Sequence, residues 1–318
     1  MTADPTPDFQ VLQPAAIYRD PRAGLQWLER AFDFETVLVV EDAEGNIGHS
    51  ETKYGRGTIA IGAEWQDPNL IGNILMRSPL TLGGANSQQL DVTVADADAH
   101  YRRAREAGAT IVFEPSDQFY GARVYRALDP EGHEWSFSQP LPGVTRADME
   151  AAGNITFERW VDTERAPAQA FRAQLFYRDP KAAIEQLEAA FGFETAMLID
   201  NDDGVRAHLM FDGWEVVIGS EWQADSTKGA SRLSPISTSD TSTQMVTPLV
   251  HSGIDVICER ARGAGMLITQ GPTDQFYGAR TFRALDREMH LWVFQQPVRD
   301  MTLDEMSAAS GLTLKSSL

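Results

Sequence analysis

The sequence predicts an α+β fold made of four strand–helix–three-strand (βαβββ) modules, two in each half of a duplicated chain. Three observations predict it. The 318-residue chain writes "DQFYGAR" twice, at Asp117–Arg123 and Asp274–Arg280, each followed by "RALD" at Arg126–Asp129 and Arg283–Asp286, an offset of 157 residues. "YRDPRAGLQWLERAFDFET" from Tyr18 matches "YRDPKAAIEQLEAAFGFET" from Tyr177 at an offset of 159, and "IGAEWQ" then matches "IGSEWQ" at 157. The second copy is therefore two residues shorter between Thr36 and Trp65. Lastly, each copy reads strand, helix and three strands, and does so twice. Self-similarity at a fixed period marks a tandem repeat, here of a unit of roughly 130 to 140 residues, an ordinary domain size.

In the first module a short strand ends near Tyr18, and Asp20-Pro21 starts a helix, Asp as cap and Pro in the first turn. Leu25, Leu28 and Phe32 give that helix its apolar stripe. Strands follow at "TVLVVED", around "GHSETKY" and at "GTIAIGAEW", with a turn at "AEGN". The second module opens with strand "QLDVTVAD". Its helix runs from about Ala97 to Ala107, stopped by Gly108, and strands "TIVFEP", "RVYRALD" and "EWSFSQP" complete it. The expected organisation is a first unit over 1–141, a linker over 142–168, a second unit over 169–298 and a tail over 299–318. The linker is charged and helix-forming, and Trp160 suggests that part of it docks. Ser226–Gln244, rich in Ser and Thr, reads as a mobile loop, and its counterpart "DPNLIGNILMRSPLTLGGANSQ" is more apolar. Both lie between the modules of a unit, where a lid could sit.

Composition bounds the partners. Lys and Arg number 27 against 46 Asp and Glu, a formal net charge of −19. That argues against nucleic acid, whose phosphates need clustered Lys and Arg, and fits either a cationic ligand or plain solubility. The single cysteine, Cys258, excludes an intramolecular disulfide and suits a reducing compartment. In the pattern Ile254, Ile257, Cys258, Ala261 it reads as a small core residue. "MTADPTPDFQ" has no charged n-region or apolar h-region, and no apolar run reaches membrane length. The expectation is a cytoplasmic protein with no membrane partner.

The residues that could carry chemistry are few. Of the six histidines, His133 and His290 recur at an offset of 157 before Trp135 and Trp292 and read as structural. His49 and His208 lie on corresponding strands of the two units. They are equivalent only if the two-residue deletion falls after them. Facing a cup, either is a candidate general base, and Glu51 shares a strand face with His49. His49, Glu51 and His208 are thus the catalytic candidates. In the "DQFYGAR" loops, Gly121 and Gly278 permit a tight turn, and Asp117 can pair with Arg123 across the loop. The alternative use is ligand binding by Phe119, Tyr120 and Arg123 and by Phe276, Tyr277 and Arg280, since aromatic faces and guanidinium suit planar or anionic ligands. Trp65 and Trp222, each at the end of an "IG-x-E" strand, are core residues or pocket walls. "IDNDDG" looks like a calcium loop, but Met210 stands where the bidentate Glu belongs, so it is a hairpin turn. No zinc-protease helix, nucleophile elbow, phosphate loop or dinucleotide fingerprint occurs.

The doubled module, with "RDPRAGLQWLERAFDFET" at its front and "DQFYGARVYRALDPEGHEW" at its back, resembles the vicinal oxygen chelate superfamily of glyoxalase I, extradiol dioxygenases and bleomycin-resistance proteins, and most of all its PhnB-like branch. The second unit departs from the pattern, with "DREMHLW" for "DPEGHEW". The resemblance implies two paired glyoxalase-like cups within one chain, acting as a monomeric pseudo-dimer or a homodimer. It also implies metal ligands from the first and last strands of each module. Those positions fall near Gln13, Ala60, Gln89 and Ser136, and near Arg172, Val217, Val246 and Val293. Ala and Val cannot ligate, and two glutamines make a poor transition-metal site, so no metal or other cofactor is expected. The function expected is a metal-independent small-molecule-binding protein of the glyoxalase/bleomycin-resistance type. The alternative is a lyase or isomerase on a small oxygenated substrate, using a displaced metal site or metal-free acid–base chemistry. A further alternative is that one unit binds ligand and the other is structural.

Overall fold

The computed structural model describes residues 10–66, 75–161, 169–224 and 230–318. The first module is β1 (Leu12–Tyr18), α1 (Pro21–Phe32), β2 (Glu35–Glu41), β3 (Ile47–Tyr54) and β4 (Gly57–Ala63). Two short strands, β5 (Trp65–Gln66) and β6 (Leu75–Met76), lead to the second: β7 (Gln88–Thr93), α2 (Ala97–Glu106), β8 (Thr110–Gln118), β9 (Ala122–Leu128) and β10 (Glu134–Pro140). Then come α3 (Arg146–Gly153) and β11 (Phe157–Trp160). The third module is β12 (Phe171–Tyr177), α4 (Pro180–Phe191), β13 (Glu194–Asn201), β14 (Gly204–Phe211) and β15 (Trp214–Ser220). After β16 (Thr241–Ser242), the fourth is β17 (Gln244–Pro248), α5 (Ile254–Gly263), β18 (Leu267–Asp274), β19 (Ala279–Leu285) and β20 (Leu291–Pro297). The chain ends with α6 (Leu303–Ser310) and β21 (Thr313–Lys315). The helix starts follow the expected chemistry: Asp20 and Asp179 each accept a backbone N–H three residues on, with Pro in the first turn.

The modules pair across the repeats. Sheet I has the order β18-β19-β20-β17-β1-β4-β3-β2-β21, and sheet II the order β11-β13-β14-β15-β12-β7-β10-β9-β8. Sheet I therefore joins the first and fourth modules through the antiparallel pair β1–β17, and sheet II the second and third through β7–β12. The hydrophobic core of each repeat lies between its two modules: Tyr18, Leu28, Phe32, Tyr125, Trp135 and Phe137 in the first, Tyr177, Leu187, Phe191, Phe282, Trp292 and Phe294 in the second. Strand side chains alternate, so the opposite faces of the sheets are left to line the cups.

The "RALD…H-x-W" block is a fastener. The buried Asp129 carboxylate accepts the Tyr18 hydroxyl, the Trp135 indole N–H at 2.9 Å and the backbone N–H of Glu131 and His133. Asp286 holds Tyr177, Trp292, Glu288 and His290 in the same way. His133 donates through Nε2 to the Ile17 carbonyl at 2.8 Å, tying the turn before the last strand of one module to the first strand of another. Cys258 is a fully buried member of the second core.

Segments expected to be linker and tail correspond to one another. Thr145 and Thr302, 157 residues apart, both begin helices with a full capping box, closed by Asp148 and Glu305. Each helix leads to a strand that extends a sheet edge: β11 pairs with β13, and β21 with β2. The "FYG" turns receive these appendages. Phe119 packs so closely on Gly153 that a Cβ there would lie 2.5 Å from its ring, and a Cβ on Gly278 (φ +82°) would lie 2.1 Å from the Arg299 carbonyl oxygen. The long loop expected at 226–244 lies partly outside the described residues. Its described part contains a 3₁₀ turn, Pro235–Thr238, and β16, which pairs in parallel with β6.

Replacing Asp129 by Ala would strand a buried hydroxyl and a buried indole N–H. Each orphaned donor costs about 1–3 kcal/mol, so urea denaturation of Asp129→Ala should show a loss of about 2–5 kcal/mol. A loss below about 1 kcal/mol would mean that the fastener is dispensable.

Candidate functional site

The face of sheet II opposite the core lines a cavity of about 830 Å³, with a smaller polar recess of about 100 Å³ at its floor. The floor alternates strictly with the core: Leu90 and Val92 are core residues while Gln89 and Asp91 line the recess, and Leu175 is core while Arg172 and Gln174 line it. Across β14, Ala207 and Leu209 enter the core, and Arg206, His208 and Met210 face the cavity. The walls are apolar. Phe157 and Trp160 on β11 stand opposite Met197 and Ile199 on β13, with Phe119 and Tyr120 at one side. The β11 appendage thus builds part of the cup.

Charge is concentrated in the recess. Arg172 donates to Glu215 at 2.7 Å and lies 3.9 Å from Asp91. Burial opposes the charge of Arg172, but the two carboxylates outweigh it and raise its pKa. Burial likewise opposes ionisation of Glu215. The His208 contact and the Arg172 guanidinium overcome it and hold this carboxyl well below the usual range. Glu215 meets His208 through Nδ1 of the ring. Burial pushes the His208 pKa down against the pull of Glu215, and the arginines at 206 and 172 reinforce the fall. Facing the Glu215 carboxylate, Nδ1 carries a proton and donates it, and the lowered pKa favours the neutral ring, in which Nε2 is an acceptor. Glu134, which is 2% exposed, binds Arg232 with both oxygens, at 2.6 and 3.0 Å, and has Arg126 at 3.7 Å.

The cup on sheet I is chemically different. His49 and Glu51 face it 3.6 Å apart, and Gln13 donates to Thr58 at 3.0 Å. Burial works against the Glu51 charge, but bonds from His49 and Gln13 lower its pKa overall. An apolar cluster of Ile17, Met76, Leu285, Leu291 and Val293 packs with Trp65 in this region, and Arg283 lies over the Trp65 ring at 5.7 Å.

Several expected site residues are placed differently from one another. His49 and Glu51 lie in one cup and His208 in the other. His49 and His208 are not equivalent. The β13–β14 hairpin is shorter than the β2–β3 hairpin, so the deletion precedes them, and His208 pairs with Val217 as Glu51 pairs with Ala60. Phe119 and Tyr120 line the cavity, whereas Arg123 turns away and is held by Asp98 and Asp117, as Arg280 is by Asp255 and Asp274. Trp222 is half exposed with Arg232 5.5 Å over its ring, and Phe276 and Tyr277 pack edge-to-face in their turn. Of the positions implied for metal ligands, Gln89, Ser136 and Arg172 line the recess. Val246 does not face a cup: it is core, because β17 matches β7 at an offset of 156, and Met245 is the cup-facing counterpart of Gln89. Arg206, Glu215 and Asp91 were not expected. They are polar residues in the period-two pattern of otherwise apolar strands, and that pattern is the signal that marks them.

Among the described residues no group of three His, Cys, Asp or Glu side chains is placed to hold a metal, and no helix is long and apolar enough to cross a membrane. The model of the glyoxalase/bleomycin resistance protein/dioxygenase superfamily matches residues 10–137. The chain belongs to this superfamily. Uncharacterised proteins of Mycobacterium bovis and Mycobacterium tuberculosis are 31% identical over 141 residues, which is 44% of this chain and 90% and 81% of theirs. Glyoxalase I from Zea mays superposes with a TM-score of 0.57 over 90% of this chain and 93% of that enzyme, at 12% identity. The superfamily fold is a small-molecule-binding one, and the cups are where it presents a concave surface.

His208 should titrate below its ordinary value of about 6.5 in the folded protein. Glu215→Gln, which removes the one carboxylate supporting its charge, should lower it further. Two-dimensional NMR of histidine-labelled protein reads both, and a wild-type midpoint above 7 would refute the assignment.

Proposed function

We propose that this chain is a metal-independent small-molecule-binding protein whose ligand occupies the cup of sheet II. The observation that carries the reading is Arg172. It stands where the superfamily's pattern implies a metal ligand, and its guanidinium lies between Asp91 and Glu215. A guanidinium has no lone pair to donate to a metal and repels a cation. It occupies the electrostatic role an ion would have, with two carboxylates already turned to it. In the sheet I cup the corresponding positions offer Gln13, Ala60, Met245 and Val293, a poor donor set.

One observation favours a second reading, a lyase or isomerase working by metal-free acid–base chemistry. The Glu215–His208 contact orients a neutral imidazole along the cavity wall, and a carboxylate-oriented imidazole is suited to proton abstraction. Activity of that kind would rise with pH through the depressed pKa of His208 and vanish in His208→Ala.

The first test is metal content of protein purified without a chelator or a metal-binding tag. Substoichiometric transition metal is expected, with the melting temperature unmoved by added zinc, nickel or manganese. One tightly held metal per chain would overturn the reading and redirect attention to His49, Glu51 and His208.

A further inference from the structure

Charge does not balance in the recess of sheet II. Four guanidinium groups line it, those of Arg126, Arg172, Arg206 and Arg232. Three carboxylates meet them: Glu134 serves Arg126 and Arg232, while Asp91 and Glu215 serve Arg172. Arg206 has only a neutral partner, the side-chain oxygen of Gln174 at 3.0 Å, and among the described residues no carboxylate comes within salt-bridge reach of it. Burial lowers its pKa first of all; Asp91 and, more weakly, Glu215 counter part of that from beyond contact distance, and the like charge of Arg172 adds to the fall. A half-buried cation with no carboxylate in contact is costly. The chain as a whole is acidic, at −19, so an anion would be drawn in by the recess itself and not by the general charge of the protein.

The geometry points to an organic anion as the ligand of this cup: an acid group on Arg206, beside Gln174 and Tyr120, with an apolar body against Phe157, Trp160 and Met197. The recess fits an acid headgroup and the 830 Å³ cavity above it fits the body. Tyr120 is placed to assist, being near enough to Arg206 for that charge to counter part of the rise burial imposes on its hydroxyl. The sheet I cup does not share the arrangement, because His49 stands at the position of Arg206 and Glu51 at that of His208. Anion binding is therefore confined to one cup per chain. This inference rests on the reading that the sheet II cup is a ligand site.

The test uses three probes of equal chain length on the full-length protein, followed by calorimetry: decanoate, 1-decanol and decyltrimethylammonium. Decanoate should bind one per chain and more tightly than the other two, and Arg206→Gln should weaken it by about tenfold or more while Arg206→Lys retains part of the affinity. Arg206→Gln should also melt at the wild-type temperature or above it, since it removes an unbalanced charge. A residue kept only for structure would give the opposite shift. Equal binding of all three probes, blocked by Met197→Trp, would overturn the anion inference and leave the binding cup standing. Failure of all three to bind would overturn both. Unchanged decanoate affinity in Arg206→Gln would overturn the anion inference whatever the other probes do.

Discussion

The antiparallel pairing of β7 with β12, and of β1 with β17, is the constraint on which the rest of the molecule depends. Neither repeat completes a cup. Each repeat packs its helices and its aromatic core between its own two modules, and this leaves the other face of each module to be extended by strands from the other repeat. Gln174 faces Gln89 and Arg172 faces Asp91 across β7–β12, so the recess exists only where two halves of the chain meet.

That meeting point has been given fixed charge. Arg172, Glu215 and His208 form a continuous chain of contacts from the floor to the wall, with Asp91 on the far side of the guanidinium. Low local dielectric makes such a network rigid when satisfied and costly where it is not. Its ion-paired part orients an imidazole, and Arg206 is left with the neutral Gln174 as its contact. Part of the apolar wall above comes from β11, a strand that lies outside the βαβββ modules altogether.

The modules were legible because their signals are local. Asp20-Pro21 and Asp179-Pro180 announce helices, and the fastener around Asp129 and Asp286 needs the same residues in both copies, so it shows as a repeat. Positions facing the cup followed from alternation wherever the offset was right. They failed at Val246, where β17 is shifted by one residue, and they left the equivalence of His49 and His208 open, which the shorter hairpin before His208 rules out. The appendages were harder to see, since their likeness is scattered: Thr145, Met149, Ala151, Ala152 and Thr156 recur as Thr302, Met306, Ala308, Ala309 and Thr313, with no unbroken motif longer than two residues. The least legible residues were those central to the candidate site. Arg206 and Glu215 have His49 and Thr58 as counterparts, and a search guided by what the two copies share passes over what distinguishes them. Conversely the most conspicuous shared loop, "DQFYGAR", uses its Arg to hold Asp98 and Asp117 and its turn to seat an appendage.

The same covalent duplication has a consequence for how the two cups can change. In an assembly of two identical single-repeat chains, any substitution would be copied into both cups, and a residue useful in one would have to be tolerated in the other. Here each cup draws on positions encoded once. An arginine can stand at 206 while a histidine keeps the matching place at 49, and a carboxylate at 215 needs no twin at 58. Joining the repeats end to end releases the cups from twofold symmetry, so one can be filled with aliphatic side chains while the other keeps an open, charged floor.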